Sequence, residues 1–181
     1  MDRGKTMIET KELRKCFGKF ATGVTVITYN SPEGPRGMTA NSFTSVSLEP
    51  PLILVSVDRK TKASQYMTGN RFAVNILKKE QKELSNHFAG KTNPELSIPW
   101  VEGEYAPYLE GSLAVIECAP WREYDGGDHI LFLGEVKRYT YGDGDALGFF
   151  CGPLFRCEKA GRYLNVRTLD TCNTSFPSNE G

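Results

Sequence analysis

Residues 37–58, GMTANSFTSVSLEPPLILVSVD, limit the fold more than any other stretch of the chain. Two β-prone runs flank Pro50-Pro51. Proline has no N–H for a sheet ladder, so the pair marks a connection between strands. The run before it is dense in short polar side chains: Thr39, Asn41, Ser42, Thr44, Ser45 and Ser47. The run after it, LILVSV at 52–57, is apolar except for Ser56, the pattern of a buried strand. A buried strand beside a strand of small polar residues makes a floor for a planar, polyhydroxylated ligand.

The rest of the chain supplies more sheet. VTVITY at 24–29 and RFAVNIL at 71–77 read as strands, with SPEGPRG at 31–37 as a loop of strong turn chemistry. The central stretch enters as one strand over 38–46 and leaves as a second over 52–57. Two long strands at 113–124 and 129–141 are joined by Asp125-Gly126-Gly127-Asp128, and a short segment at 147–154 ends the sheet. Helical spacing puts Leu13, Cys16, Phe17 and Phe20 on the inner face of a helix over 9–20, with Thr10 as its N-cap. Short helices are expected at 63–68 and 80–88, the second with Leu84 and Phe88 facing inward. Residues 89–108 lack a pattern, and Trp100, Tyr105 and Tyr108 there need something to pack on, either this chain or a second subunit. About six or seven strands with few helices predict a mainly β barrel with peripheral helices. The organisation expected is a flexible N-terminus at 1–10, one domain over 11–167 and a polar tail at 168–181.

Charge excludes some classes of function. Lys+Arg and Asp+Glu are both 22, so no long-range field attracts nucleic acid or anionic membrane. No apolar run approaches the ~20 residues of a membrane-spanning helix, and 1–10 has no signal-peptide core, which predicts a soluble, cytoplasmic protein. Five cysteines without a C-x-x-C pair, and only two histidines, argue for reduced thiols over a disulfide framework or a metal site. The glycine signatures of Rossmann and P-loop sites are absent, as are G-x-S-x-G and H-E-x-x-H.

Three stretches remain as candidates. Thr39-Ala40-Asn41-Ser42 offers hydroxyls, an amide and a low Ala40 surface to a ligand, or else is a Thr/Ser-rich strand facing solvent. Ser56-Val57-Asp58-Arg59-Lys60-Thr61-Lys62 runs from a strand end through cations into a helix start, which is an anion site or a solvated charge run. His129 follows a glycine turn at the start of an apolar strand, placed for proton or hydrogen-bond chemistry or simply capping the strand.

At these residues the chain closely resembles the flavin reductase family of FMN-binding split barrels, the small reductase components of two-component flavin monooxygenases. The resemblance rests on FGKFATGVTVIT (17–28), residues 37–58, RFAVNIL (71–77), HFAG (87–90), GDHILFLGEV (127–136) and GRY (161–163). It implies a homodimer of split β-barrels in which NADH or NADPH reduces FMN or FAD, with reduced flavin passing by diffusion to a flavin-dependent monooxygenase. It implies that Thr39, Ala40, Asn41 and Ser42 lie along the flavin, and that Ser56, Val57 and Asp58 border its ring and ribityl chain. Thr61 and Lys62 then face the phosphate, Phe88 sits beside the cofactor, His129 lies near the nicotinamide, and Tyr163 is a further contact. Ala63 departs from the pattern, since many relatives carry a hydroxyl there, which shifts attention to Ser64. An FMN-binding electron carrier without NAD(P)H turnover is the alternative reading of the same fold.

Overall fold

The computed structural model describes residues 8–152, 154–160 and 163–168. The expectations for the first seven residues and for most of the 168–181 tail lie outside it. In chain order the elements are α1 Thr10–Phe17, β1 Thr22–Gly23, β2 Thr25–Ser31, β3 Gly34–Ala40, β4 Thr44–Leu48, β5 Pro51–Asp58, α2 Lys62–Met67 and β6 Phe72–Ile76. A 3₁₀ turn Lys79–Gln81 then leads into α3 Lys82–Phe88, β7 Trp100–Val101, β8 Tyr108–Leu109, β9 Ala114–Gly126 and β10 His129–Tyr141. The chain closes with β11 Ala146–Phe149, β12 Leu154–Ala160 and β13 Tyr163–Thr168.

Seven strands form one antiparallel sheet in the order β3-β2-β6-β9-β10-β5-β4. Its two edges, β3 and β4, are consecutive in the chain and separated by only Asn41, Ser42 and Phe43. Four Cα–Cα steps reach at most about 14 Å, so the sheet must curl until its edges nearly meet. The result is an open, split barrel. The expected single strand over 38–46 is therefore two strands on opposite edges, and the loop expected at 31–37 is a tight turn followed directly by β3. Pro51 stands at the first position of β5, where no ladder N–H is required.

The register of the 13-residue strands β9 and β10 shifts at Leu133/Gly134 and again at Val136/Arg138, irregularities of the kind that bend a sheet. Gly134 is required at the first: a Cβ there would lie 2.6 Å from the Phe72 ring and 2.8 Å from the Cys118 Cβ. Ile27, Val55, Val57, Phe72, Val74 and Cys118 fill the interior at 1% exposure or less. Burying each large aliphatic or aromatic side chain contributes roughly 1.5–3 kcal/mol, much of it offset by lost chain entropy. Val26, Leu77, Leu109 and Leu147 pack on the opposite face of the sheet with Phe88 and Trp100.

Residues 91–112 cover that outer face, held by buried polar groups. Asn75 donates to the Val26 carbonyl and the Thr28 hydroxyl, both at 2.9 Å, and accepts from Leu109 N–H at 2.7 Å. Thr28 donates to the Pro107 carbonyl at 2.6 Å. Buried Glu117 accepts from the N–H groups of Tyr105 and Ala106 at 2.8 and 3.3 Å. Trp100 meets Phe88, and Tyr105 lies under the Arg71 guanidinium at 5.1 Å, so these aromatics pack on their own chain.

The first helix differs from expectation. It spans Thr10–Phe17, Glu9 takes the N-cap position without a side-chain hydrogen bond, and no residue of the helix is buried. Phe17 and Phe20 are 66% and 76% exposed, so the face expected to point inward lies open. Beyond β11 the sequence reading missed β12 and β13, which join β1 and β11 in a second, four-stranded sheet. No helix among the described residues is long and apolar enough to cross a membrane. Cys16, Cys118 and Cys151 are free thiols, and no cluster of metal-binding side chains occurs among the described residues.

Candidate functional site

The site lies along the split. β4 pairs with β5 only as far as Leu54, so the last turn-ward residues of β5 have no strand beside them on that edge. Ser42 fills part of the gap: its hydroxyl donates to the Ser56 carbonyl at 2.8 Å and accepts from Ser56 N–H at 3.1 Å. One side chain thus replaces the ladder bonds a continuing strand would make. Backbone groups alternate along a strand, so Asp58 N–H leaves β5 on the same edge as Ser56 N–H. Val57 points into the core at 0% exposure, which leaves only its backbone for a ligand.

On one side of the Ser42–Ser56 contact is a cavity of about 280 Å³ walled by Thr39, Ala40, Asn41, Ser85, Ala89 and Phe149. Thr39 donates its hydroxyl to the Ser85 carbonyl at 2.7 Å, tying α3 to the edge strand. The Ala40 carbonyl accepts from the Thr25 hydroxyl at 2.7 Å. Asn41 is exposed at the mouth, so it offers its amide where Thr39 offers mainly shape.

On the other side is the loop after β5. The Asp58 carboxylate accepts from Lys60 N–H at 2.8 Å, and its carbonyl accepts from Thr61 N–H at 3.1 Å and from the Thr61 hydroxyl at 2.7 Å. The Thr61 hydroxyl also accepts from Ser64 N–H at 3.3 Å, capping α2. Ser64 is buried, with its hydroxyl on the Arg59 and Thr61 carbonyls at 3.1 and 2.8 Å. Thr61 and Ser64 therefore shape the loop, while Lys60 and Lys62 stand exposed beside it.

His129 opens β10 directly opposite Asp58. Its Nδ1 lies 2.6 Å from the Asp128 carboxylate, and its side chain is 40% exposed. The hydrogen bond and charge of His129 hold the Asp128 carboxyl below the usual carboxylate range. An ionised Asp128 accepts from Nδ1–H and leaves Nε2 as the free polar atom of the ring. The preceding turn is fastened by Arg59, which donates through Nε to the Gly127 carbonyl at 2.8 Å and through Nη2 to Asp125 at 2.7 Å. The Gly127 N–H, followed by Arg59, pulls the Asp125 carboxyl down as well. Gly127 has φ 78°, a conformation that favours glycine.

Thr39, Ala40, Asn41, Ser42, Ser56, Asp58, Thr61, Lys62 and His129 are thus brought onto one rim. Phe88 does not line the cavity: its ring meets His87 and Trp100 edge-on, with centroids 5.1 and 5.8 Å away, and covers Gly37, where a Cβ would sit 3.0 Å from it. Tyr163 begins β13, and its side chain lies outside the described residues. The sequence reading missed Arg59 as the clamp on the His129 turn and Ser85, Ala89 and Phe149 as cavity walls. Only Arg59 had a signal, its place in the cationic loop.

The flavin reductase like domain model matches residues 17–155. An NADH-dependent FAD reductase of Streptomyces globisporus is 45% identical over 80% of this chain and 84% of its own length. The structure of the flavin reductase PheA2 superposes with a TM-score of 0.79 at 40% identity, covering 84% of this chain and all of that one. BorF, the flavin reductase component of a bacterial two-component tryptophan halogenase, superposes at 0.76 with 37% identity over 84% of this chain and 100% of its own. With the open barrel and the rim already described, these matches lead to one conclusion: the chain belongs to the flavin reductase like family.

Proposed function

We propose that this chain transfers hydride from NADH or NADPH to FMN or FAD and releases the reduced flavin, by diffusion, to a separate flavin-dependent monooxygenase. The observation that carries the reading is the uncovered edge of β5, running from the cavity at Thr39–Asn41 to the cationic loop and ending beside His129. These residues fit a flavin. The cavity has a low wall at Ala40 and an exposed amide at Asn41, the Asp58 N–H leaves the open edge, and Lys60 and Lys62 stand at the far end. Cations suit the phosphate end and backbone donors suit ring carbonyls.

Bound together, the two nucleotides supply the chemistry, a hydride passing from nicotinamide C4 to flavin N5. The protein orients and stabilises. Asp58 N–H is fixed in place by the β5–β10 ladder, so it needs no reorganisation to meet developing negative charge. Asp128 and the Arg59-fastened turn hold the His129 ring, which orients the nicotinamide. Asn41 places the ring against the split.

The working unit is the 11–167 domain, acting as a homodimer in the cytoplasm. Support for a second copy comes from exposed Phe17, Phe20 and Leu48, the last 93% exposed on the edge strand β4. The test of function is NAD(P)H oxidation crossed over FMN, FAD and riboflavin. Turnover that requires added or bound flavin supports it. A flavin that stays bound through gel filtration with no NAD(P)H turnover would favour the electron-carrier reading.

A further inference from the structure

The outer wall of the cavity is a loop fastened by a histidine ring. Ala89 and Lys91 line the cavity at Asn41, and the loop that carries them, residues 89–95, is exposed throughout. Its near end is tied by backbone groups: Gly90 N–H donates to the His87 carbonyl at 3.2 Å and Lys91 N–H to the Asn86 carbonyl at 3.1 Å. Its far end turns about Asn93, which accepts from Glu95 N–H through Oδ1 at 3.0 Å and from Leu96 N–H through its carbonyl at 3.3 Å. The two ends meet at the His87 ring, whose Nδ1 accepts from Asn93 N–H at 3.2 Å. The ring is set edge-on against Phe88, with centroids 5.1 Å apart. Nδ1 accepts only while it carries no proton, so the neutral ring keeps its hydrogen on Nε2. Protonation puts a donor where Asn93 already points one, and the contact is lost.

We propose that His87 is a positioning residue for the cavity: its neutral ring pins the loop at Asn93 and holds Lys91 in the cavity wall, and its protonation releases that wall. The identity of the ligand as a flavin rests on the reductase reading above. Histidine as a residue type changes charge between roughly pH 5 and 8. The charged ring finds compensation nearby. It stands in the last turn of α3, where free carbonyls favour a cation, and Glu83 is four residues earlier on the same side of the helix. α3 packs on β2, β3 and the 3₁₀ turn. The other charged groups on α3, on those elements and on the loop are Lys82, Arg36, Lys79, Glu80, Lys91 and Glu95. Arg36 is paired with Glu33, and Lys79 with Asp145 and Glu80, while His87 has no ion pair among the described residues. Releasing the loop loosens the cavity wall without touching the reacting atoms.

The experiment follows the full chain by NMR from about pH 5.5 to 8, reading the Asn93 amide and the His87 ring nitrogens, with riboflavin affinity measured in parallel by fluorescence quenching. Riboflavin is the probe because, unlike FMN, it has no phosphate that titrates in this range. His87→Asn keeps a carbonyl oxygen near the place of Nδ1 and accepts at every pH, whereas His87→Ala removes the acceptor. The spectra also report the fold of each variant. In the wild type the Asn93 amide should move with the ring nitrogens, and riboflavin should bind at least roughly threefold more weakly at the acid end. His87→Asn should bind tightly at both ends of the range and His87→Ala weakly at both. An Asn93 amide that ignores the ring's titration overturns the proposal. So does a pH dependence of riboflavin affinity that survives in His87→Asn, which assigns it to His129, or a wild-type affinity that is the same at both ends. If riboflavin does not bind at the alkaline end while Asn93 follows the ring, the flavin reading fails and the His87 hold on the loop stands.

Discussion

Ser42 both donates to and accepts from the backbone of Ser56. Removing its oxygen strands two groups on the open edge of β5. Ser42→Ala is expected to lower stability by about 1–2 kcal/mol in urea unfolding and to raise the KM for flavin, with Ser42→Thr recovering most of both. Cys118 makes a different prediction. Burial, with the neighbouring Glu117 charge second, pushes its thiol from 9.0 up to about 12. Both folded and unfolded states keep the proton below pH 9, so stability is unaffected there. Between about pH 9 and 12 only the unfolded state ionises, and stability falls by up to roughly 1.4 kcal/mol per pH unit. Unfolding midpoints of wild type and Cys118→Ala should converge as pH rises through that window. Thiol labelling of the native protein at pH 8 should modify Cys16 and Cys151 and spare Cys118. The duties of the residues around the split were not legible in the sequence. Thr39 and Thr61 read as ligand hydroxyls, yet each is committed to a carbonyl, because a small polar side chain beside an interrupted ladder bonds the nearest backbone.

At the scale of elements, the β9–β10 turn and the 91–112 segment show how single polar groups position loops. Arg59 grips the turn at two points, Gly127 and Asp125, and His129 follows it. Arg59→Ala is expected to lower kcat/KM about tenfold through His129, so it should add little in a His129→Ala background. Additive losses would show that Arg59 acts elsewhere. Glu117 holds Tyr105 and Ala106 by their N–H groups, and Glu117→Ala should cost about 1–3 kcal/mol and open residues 100–110 to limited proteolysis, while leaving β9 protected. Strand identities were legible because 24–29, 52–57 and 71–77 are apolar enough to be buried. The break at Asn41–Phe43 was not, since its neighbours are equally β-prone and only closure of the sheet forces the chain from one edge to the other. Asn75 in an otherwise apolar strand was the available signal for the 91–112 anchor. Its meaning needed the partner, Leu109, 34 residues away.

For the whole molecule, an open barrel with a zero formal charge exposes, among the described residues, the apolar side chains Leu13 and Phe17 of α1, Phe20 just after it, and Leu48 on the edge strand β4. The proposed homodimer would cover such surfaces, and sedimentation velocity should give a dimer that Phe17→Ser with Phe20→Ser weakens without loss of fold. Hydride transfer at the split is measured by anaerobic mixing of the wild type and His129→Ala with NADH and excess FMN or FAD, following nicotinamide absorbance and flavin bleaching together. Matched loss of both signals is expected, catalytic in protein, and slowed at least roughly tenfold in His129→Ala by the loss of a positioned group. No NADH or NADPH consumption at any flavin concentration, with the protein folded and the flavin bound, would contradict it.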